Sequence, residues 1–294
     1  MTEEKALSHK REGFSKGESF VEIKLIAIDM DGTLLQNDHK TVSPRNRDAI
    51  LKAMQKGIQV VPASGRMSTF LPEQLLRLPG IRYAVTSNGA AVVDLETKEK
   101  IFTNHIPNEL VLKVLELVPA ERTLCEIYID GNSYTDQSYQ DRIAAYKLPK
   151  QYDIFLLRKR TVVKNLAEFV RDTQPDVEKI NLPYQEEPLH SELWKQLEAL
   201  GGVTLVSSLP CNIEVNAQSA NKGAALERLC AHLGIPRSQA MAIGDSGNDV
   251  EMFKVAGFAV AMENAEDRVK KLANAVTGSN MEDGVADAIE KYAL

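Results

Sequence analysis

Cysteine is scarce in this sequence. Cys125, Cys211 and Cys230 are the only three among 294 residues, widely spaced and without a CxxC pair. An odd, scattered set argues against a disulfide framework or a zinc site and fits a reducing compartment. The three thiols read as core or half-buried side chains. Long apolar runs are missing as well, and none approaches the roughly 20 residues that a bilayer-spanning helix needs. Residues 1–19 are polar and mixed in charge, with no apolar stretch of the kind a secretory leader carries. The expectation is a cytoplasmic chain with no membrane partner, whose residues 1–20 form a disordered tail. A basic excess is also absent: the formal net charge is −6, which speaks against a nucleic-acid partner. Neither an internal repeat nor a low-complexity segment is visible.

What is present is the composition of a globular enzyme, 44% hydrophobic and 26% charged, at a length sufficient for one large or two moderate domains. The run Ile23–Ile28 reads as a strand buried on both faces, ending at Asp29. Ser43-Pro44 then opens a helix, serine as N-cap and proline in the first turn, which runs to about Gln55 and stops at Gly57. Ile58–Pro62 and Tyr83–Thr86 read as further strands. The same rhythm returns late in the chain: a helix over Lys222–Leu233 closed by Gly234, a strand over Ala240–Ile243, a helix over Asn248–Ala256, a strand over Ala259–Ala261 and a helix over Glu266–Ala273. Strand–loop–helix alternation predicts a doubly wound, Rossmann-like α/β domain with its site at the carboxyl ends of the strands.

Between residues 107 and 212 the pattern changes. Helical stretches (Asn108–Leu117, Val162–Gln174) mix with strands (Glu126–Asp130, Val203–Ser207), several of them alternating as if one sheet face were wet. Because α/β rhythm flanks this region, it reads as a second, α+β domain inserted into the first. The expected division is a core over 21–106 and 213–294 with an insert over 107–212.

Four short polar segments stand where core strands end. In Asp29-Met30-Asp31-Gly32-Thr33, two carboxylates two residues apart follow a buried strand, so they need a cation or a shared proton. Mg²⁺ suits hard oxygen donors in an incomplete cage. Ser64-Gly65-Arg66 can offer a hydroxyl and backbone N–H groups to a phosphate, although by itself it reads equally as a capping turn. Lys222 sits in the first turn of a helix, where its charge opposes the helix dipole; alone, it could be a solvated surface lysine. Gly244-Asp245-Ser246-Gly247-Asn248-Asp249 gathers two carboxylates and an amide on a loop without EF-hand spacing.

Taken in order, Asp29-x-Asp31-Gly-Thr, Ser64, Lys222 and Gly-Asp245-x-Gly-Asn-Asp249 resemble the four motifs of the haloacid dehalogenase (HAD) superfamily. Ala-Ser-Gly-Arg, Ser-Asn-Gly-Ala and Gly-Asp-Ser-Gly-Asn-Asp, with the late Val260–Ala265 and Asp283–Ala286 segments, point to its Cof-like, type IIB hydrolases, which carry an inserted α/β cap. The resemblance runs from about Ile23 to the C-terminus. Met30 stands where leucine is more usual, and Glu263 where glycine is often found.

The resemblance implies a Mg²⁺-dependent phosphatase. Asp29 is then the nucleophile that forms an aspartyl-phosphate, and Asp31 the general acid and base. Asp29, the Asp31 carbonyl, Asp245 and Asp249 hold the metal, while Gly32, Ser64, Gly65, Arg66, Lys222 and Asn248 bind the phosphoryl group. Arg66 and Asn88 border the site. The cap chooses the substrate, a small phosphorylated metabolite such as a sugar phosphate, pyridoxal phosphate or an FMN-like compound; Tyr128, Tyr134, Arg142 and Tyr146 are cap side chains with the reach. The alternatives are a phosphosugar mutase and a non-catalytic regulatory protein of the same fold. The expected state is a monomer or a small homo-oligomer.

Overall fold

The computed structural model describes residues 22–119, 121–143, 159–184, 187–207 and 212–294. The expectations for the 1–20 tail, Tyr146 and Cys211 fall outside these residues. Within them Cys125 and Cys230 are free thiols, and no helix is long and apolar enough to cross a membrane.

Strands in the first part of the chain are β1 (Leu25–Ile28), β2 (Gln59–Pro62), β3 (Tyr83–Thr86), β4 (Ala91–Asp94) and β5 (Lys100–Thr103). The middle part contributes β6 (Glu126–Ile129), β7 (Asn132–Asp136), β8 (Thr161–Val163), β9 (Val177–Pro183), β10 (Val203–Val206) and β11 (Asn212–Ala217). The last part adds β12 (Ala240–Gly244), β13 (Phe258–Ala261) and β14 (Ala275–Val276).

Five strands form a parallel sheet in the order β14-β13-β12-β1-β2. All four residues of β1 are buried, as a central strand covered on both faces requires. The helix Pro44–Gln55 lies where its signals place it: Ser43 accepts from the Asn46 amide, and Pro44 costs no hydrogen bond in the first turn. Asn46 is buried and accepts from the amide of Ala286, which ties this helix to the C-terminal one, Gly284–Tyr292. β3 continues the sheet beside β2 only through the Ala63–Val85 bridge; it also opens an antiparallel sheet with β4 and β5, a hairpin the sequence reading did not include.

The second unit is a six-stranded sheet, β10-β11-β9-β6-β7-β8, with its own apolar cluster. Three helices, Asn108–Leu117, Leu166–Thr173 and Glu187–Ala199, pack on its apolar face. The stretch expected as one helix over Val162–Gln174 divides. The β-branched Thr161-Val162-Val163 forms β8, and the Asn165 side chain caps a shorter helix by accepting from the Glu168 amide. β11 belongs to this sheet, so the return to the core expected at 213 falls inside a cap strand, and the chain leaves the sheet only after Ala217. The reason is the alternation Asn212-Ile213-Glu214-Val215-Asn216, which buries Ile213 and Val215 in the cap cluster.

Alternation in this sheet has a cause other than the expected one. Register pairs Ile127 with Ile180 and Ile180 with Val215 on the apolar face, and Glu126 with Asn181 and Asn181 with Glu214 on the other. That second face carries Glu126, Lys179, Asn181, Asn212, Glu214 and Asn216, all buried. It is polar yet not wet. Lys179 Nζ donates across to the carbonyl of Gly65 at 2.6 Å, and Glu214 Oε2 accepts from Asn88 Nδ2 at 2.6 Å, so this face roofs the ends of the core strands.

Candidate active site

Four of the core loops meet at the carboxyl ends of β1, β2, β3 and β12. Asp29 follows β1, its amide held by the carbonyl of Ile243 on the neighbouring strand. Gly32 adopts φ +84°, and a side chain there would run into the Asp245 carboxylate, so only glycine lets the two loops approach this closely. Lys222 enters from the first turn of its helix, whose N-cap Asn221 accepts from Ala224. The helix expected from Asn248 starts at Val250 instead, after a tight turn over Gly247–Asp249. The Asp249 carboxylate accepts from the amides of Asp245 and Ser246, which winds that turn.

Lys222 is completely buried and lies between two carboxylates. Its Nζ donates to Asp29 Oδ1 at 2.5 Å and to Asp249 Oδ1 at 2.7 Å, and it reaches Asn248 Oδ1 at 3.3 Å. Burial pulls the lysine's pKa down, but the charges of Asp249 and Asp29 outweigh it and hold the ammonium above its ordinary range. Asp29, Asp245 and Asp249 bring carboxylate oxygens within 4.8 Å of one another. Burial first, and the Asp249 charge second, push the Asp29 carboxyl well above the usual range despite Lys222. The same two causes raise Asp245 to about 7, against a hydrogen bond at 2.7 Å from the Thr33 hydroxyl. The cluster thus holds more carboxylate than one buried lysine keeps ionised. A hard divalent cation with oxygen ligands suits that donor set.

Asp31 is placed apart from this cluster. Arg66 grips it with two of its three guanidinium nitrogens, Nε to Oδ2 at 2.8 Å and Nη2 to Oδ1 at 2.5 Å, and His39 Nδ1 lies 2.8 Å from Oδ1. Burial raises the Asp31 pKa, but the Arg66 charge and the His39 and Arg66 hydrogen bonds overcome it and hold the carboxyl well below the usual range. Arg66 also donates to the carbonyls of His39 and Phe70, so its guanidinium is engaged on Asp31 and the loops beside it. The Ser64 hydroxyl accepts from the Arg66 amide at 3.1 Å, leaving its own proton to donate.

Sequence reasoning missed His39, Thr33 and Asn264, whose amide donates to the carbonyl of Gly32. Thr33 and Asn264 stand inside the quoted first motif and the Val260–Ala265 segment, where neither was given a role, and His39 is a titratable residue in the loop directly after the first motif. Of the cap side chains singled out, Tyr128 is buried beneath Lys179, whose Nζ sits 4.7 Å from the ring centre. Tyr134 stacks on Phe169 at 5.3 Å on the apolar side of the cap, and Arg142 donates to carbonyls of Ser138 and Thr123. Glu263 is exposed at an ordinary φ, so no glycine is needed there.

The chain is 32% identical, over 278 residues, to a 5-amino-6-(5-phospho-D-ribitylamino)uracil phosphatase of Bacillus subtilis, an alignment covering 93% of this chain and 97% of that protein. A solved haloacid dehalogenase-like hydrolase from B. subtilis superposes with a TM-score of 0.79 at 29% identity, covering 92% of this chain and 99% of the other. A subclass IIB sugar phosphatase of the HAD superfamily superposes at 0.76 with 24% identity, over 91% and 98% of the two chains, a likeness that speaks for the fold. The sequence profile of haloacid dehalogenase-like hydrolases matches residues 26–289. The match extends over nearly the whole chain, and the protein belongs to the haloacid dehalogenase-like hydrolase family.

Proposed function

We propose that this protein is a Mg²⁺-dependent phosphatase that cleaves small phosphorylated metabolites through an aspartyl-phosphate on Asp29. The observation that carries the reading is Lys222, buried between Asp29 and Asp249 in the middle of a carboxylate cluster. Asp29 attacks as a carboxylate, a form that burial disfavours and that Lys222 and a cation in the cluster would favour, and the buried ammonium draws a phosphoryl dianion to the same point. Asp29, Asp245, Asp249 and the Asp31 carbonyl would hold Mg²⁺. When bound, the ion neutralises the repulsion between nucleophile and phosphate.

The remaining roles fall to this chain's own groups. The Ser64 hydroxyl, the Asn248 amide, Lys222 and the backbone near Gly32 and Gly65 bind the phosphoryl oxygens. Asp31 protonates the leaving oxygen and then takes the proton of the attacking water. In the observed geometry Arg66 and His39 hold Asp31 ionised, the form that serves the second step. Protonating a leaving group therefore requires substrate to draw Arg66 away, and in doing so to bring its guanidinium toward the phosphate.

Named relatives act on 5-amino-6-(5-phospho-D-ribitylamino)uracil and on pyridoxal phosphate, and the proposed substrate class is small phosphomonoesters of that kind, with sugar phosphates and FMN-like compounds included. On the polar face of the cap, Lys179 is held on Glu214 and Arg160 on Glu126. The test is phosphate release from a panel of these compounds, with Mg²⁺ or EDTA, by wild type and Asp29→Asn. Release that needs Mg²⁺ and disappears in the variant is the expected result. Isomerisation of a sugar 1-phosphate to its 6-phosphate without net release would overturn the reading.

A further inference from the structure

The turn Ser87-Asn88-Gly89 after β3 touches the Ser64 loop, the start of the Lys222 helix, the Asn248 turn and the cap, yet it has no role in the chemistry above. Its backbone is tied to the Ser64 loop twice: the Asn88 amide donates to the carbonyl of Ser64 at 3.0 Å, and the Ser87 amide to that of Arg66 at 2.8 Å. Gly89, at φ +91°, packs against the backbone of Asn221 so closely that a Cβ would collide with it, which locks the turn to the start of the Lys222 helix. Asn88 itself sits at φ 56°, a left-handed conformation that asparagine tolerates and most residues do not.

The Asn88 side chain, 2% exposed, joins two domains. Its Nδ2 donates to Glu214 Oε2 at 2.6 Å and lies 3.3 Å from Asn216 Oδ1, both on the cap sheet. Its Oδ1 accepts from Asn248 Nδ2 at 3.3 Å. The Asn248 oxygen is thereby turned to the Ser246 hydroxyl, 2.7 Å away, and to Lys222 Nζ at 3.3 Å. An amide has one donor end and one acceptor end, so a cap carboxylate that fixes the donor end of Asn88 also fixes the direction of Asn248.

We infer that Asn88 is a positioning residue through which Glu214 of the cap orients the phosphate-facing amide of Asn248 and, with it, Lys222. Closing the cap completes the core site, and opening it releases Asn88. Lys179 reinforces the joint, because its ammonium binds Glu214 Oε1 at 2.8 Å and the carbonyl of Gly65 at 2.6 Å. The inference rests on the phosphatase reading and deepens it.

The test exchanges the two partners. Asn88→Asp alone sets two carboxylates face to face and should lower kcat about tenfold or more, with KM within about threefold. Glu214→Gln alone keeps an acceptor and should cost about two- to threefold. In the double variant N88D/E214Q, the amide introduced on the cap can donate to the carboxylate introduced on the turn, which still accepts from Asn248. There kcat should recover at least about threefold over N88D. A merely structural role predicts no such recovery. A double variant as slow as the product of the two singles, or losses confined to KM, overturns the inference while leaving a phosphatase. Should N88D fail to fold, Asn88→Gly keeps the left-handed turn without the amide. Adding E214Q to it should then change kcat by less than about 1.5-fold, and a loss equal to that in wild type overturns the inference. Wild type that releases phosphate from no compound of the panel overturns the phosphatase reading and the inference with it.

Discussion

The core and the cap each place polar side chains on the ends or faces of buried strands, but they do so for opposite purposes. In the core, polar groups gather where parallel strands stop, and they are left mismatched: three carboxylates face one buried ammonium, and two of those carboxyls are raised in pKa as a result. In the cap, the polar residues lie along a whole sheet face and satisfy one another. Glu126 accepts from Arg160 at 2.5 Å and from Tyr139 at 2.6 Å, Asn212 bridges Asn181 and Glu214, and Lys179 pairs with Glu214. A mismatched cluster is poised for a ligand and a charged transition state, whereas a matched one is a lid whose desolvation is already compensated. Joined at Asn88, the two arrangements predict different failures when residues are removed.

The largest effect belongs to Asp29, the proposed nucleophile. Asn in place of Asp29 should cut phosphate release by at least about 10⁴-fold on every substrate, because a group that forms the covalent intermediate has no substitute. Lys222→Met should follow at about 10²–10³-fold in kcat, the scale of losing a preorganised charge at the developing dianion. Both are core changes read in steady-state kinetics. In the cap, Glu126→Ala should instead cost stability, about 1–3 kcal/mol by urea unfolding, since it removes the buried carboxylate that accepts from both Arg160 and Tyr139. Turnover of acetyl phosphate per folded molecule should stay within about threefold. If turnover fell with stability, the division of labour between the two regions would be wrong.

A smaller effect tests the mismatch itself. Asp29 and Asp245 hold protons more tightly folded than unfolded, so their contribution to metal-free stability is full below the unfolded value of 3.8 and is lost as pH rises, through about 7 for Asp245. The Tm of EDTA-treated protein should therefore fall by about 5 °C between about pH 5 and about pH 8, and Mg²⁺ should raise it more at the higher pH. An equal Mg²⁺ shift at both would deny that the carboxylates form the ion's site. Least of all, Met30→Leu should change stability by less than about 1.5 kcal/mol, although Met30 is fully buried, because the two side chains have similar volume.

Much of the core was legible before folding. Ser43 and Pro44 start their helix, Gly234 ends the Lys222 helix, and β1 and β12 are short apolar runs that stop at aspartates. These features are written locally, in caps and in runs buried on both faces. The cap was harder to read. Its strands β9 and β11 alternate between apolar and polar residues, and local pattern does not distinguish a face turned to water from one turned to another domain. The hairpin β4–β5 and the division of residues 161–174 were likewise decided by pairing with strands distant in sequence.

Residue types at the strand ends, and hence the carboxylates, the lysine and the family, follow from the order of amino acids alone. An aspartate after a buried strand is a matter of a few adjacent residues, so it is visible without any fold. Packing was needed to show that Arg66 holds Asp31, that Thr33 holds Asp245 and that Asn88 joins Glu214 to Asn248. A hydrogen bond is set by distances of about 3 Å, and partners separated by 35, 212, 126 and 160 residues reach that range only after both domains have packed.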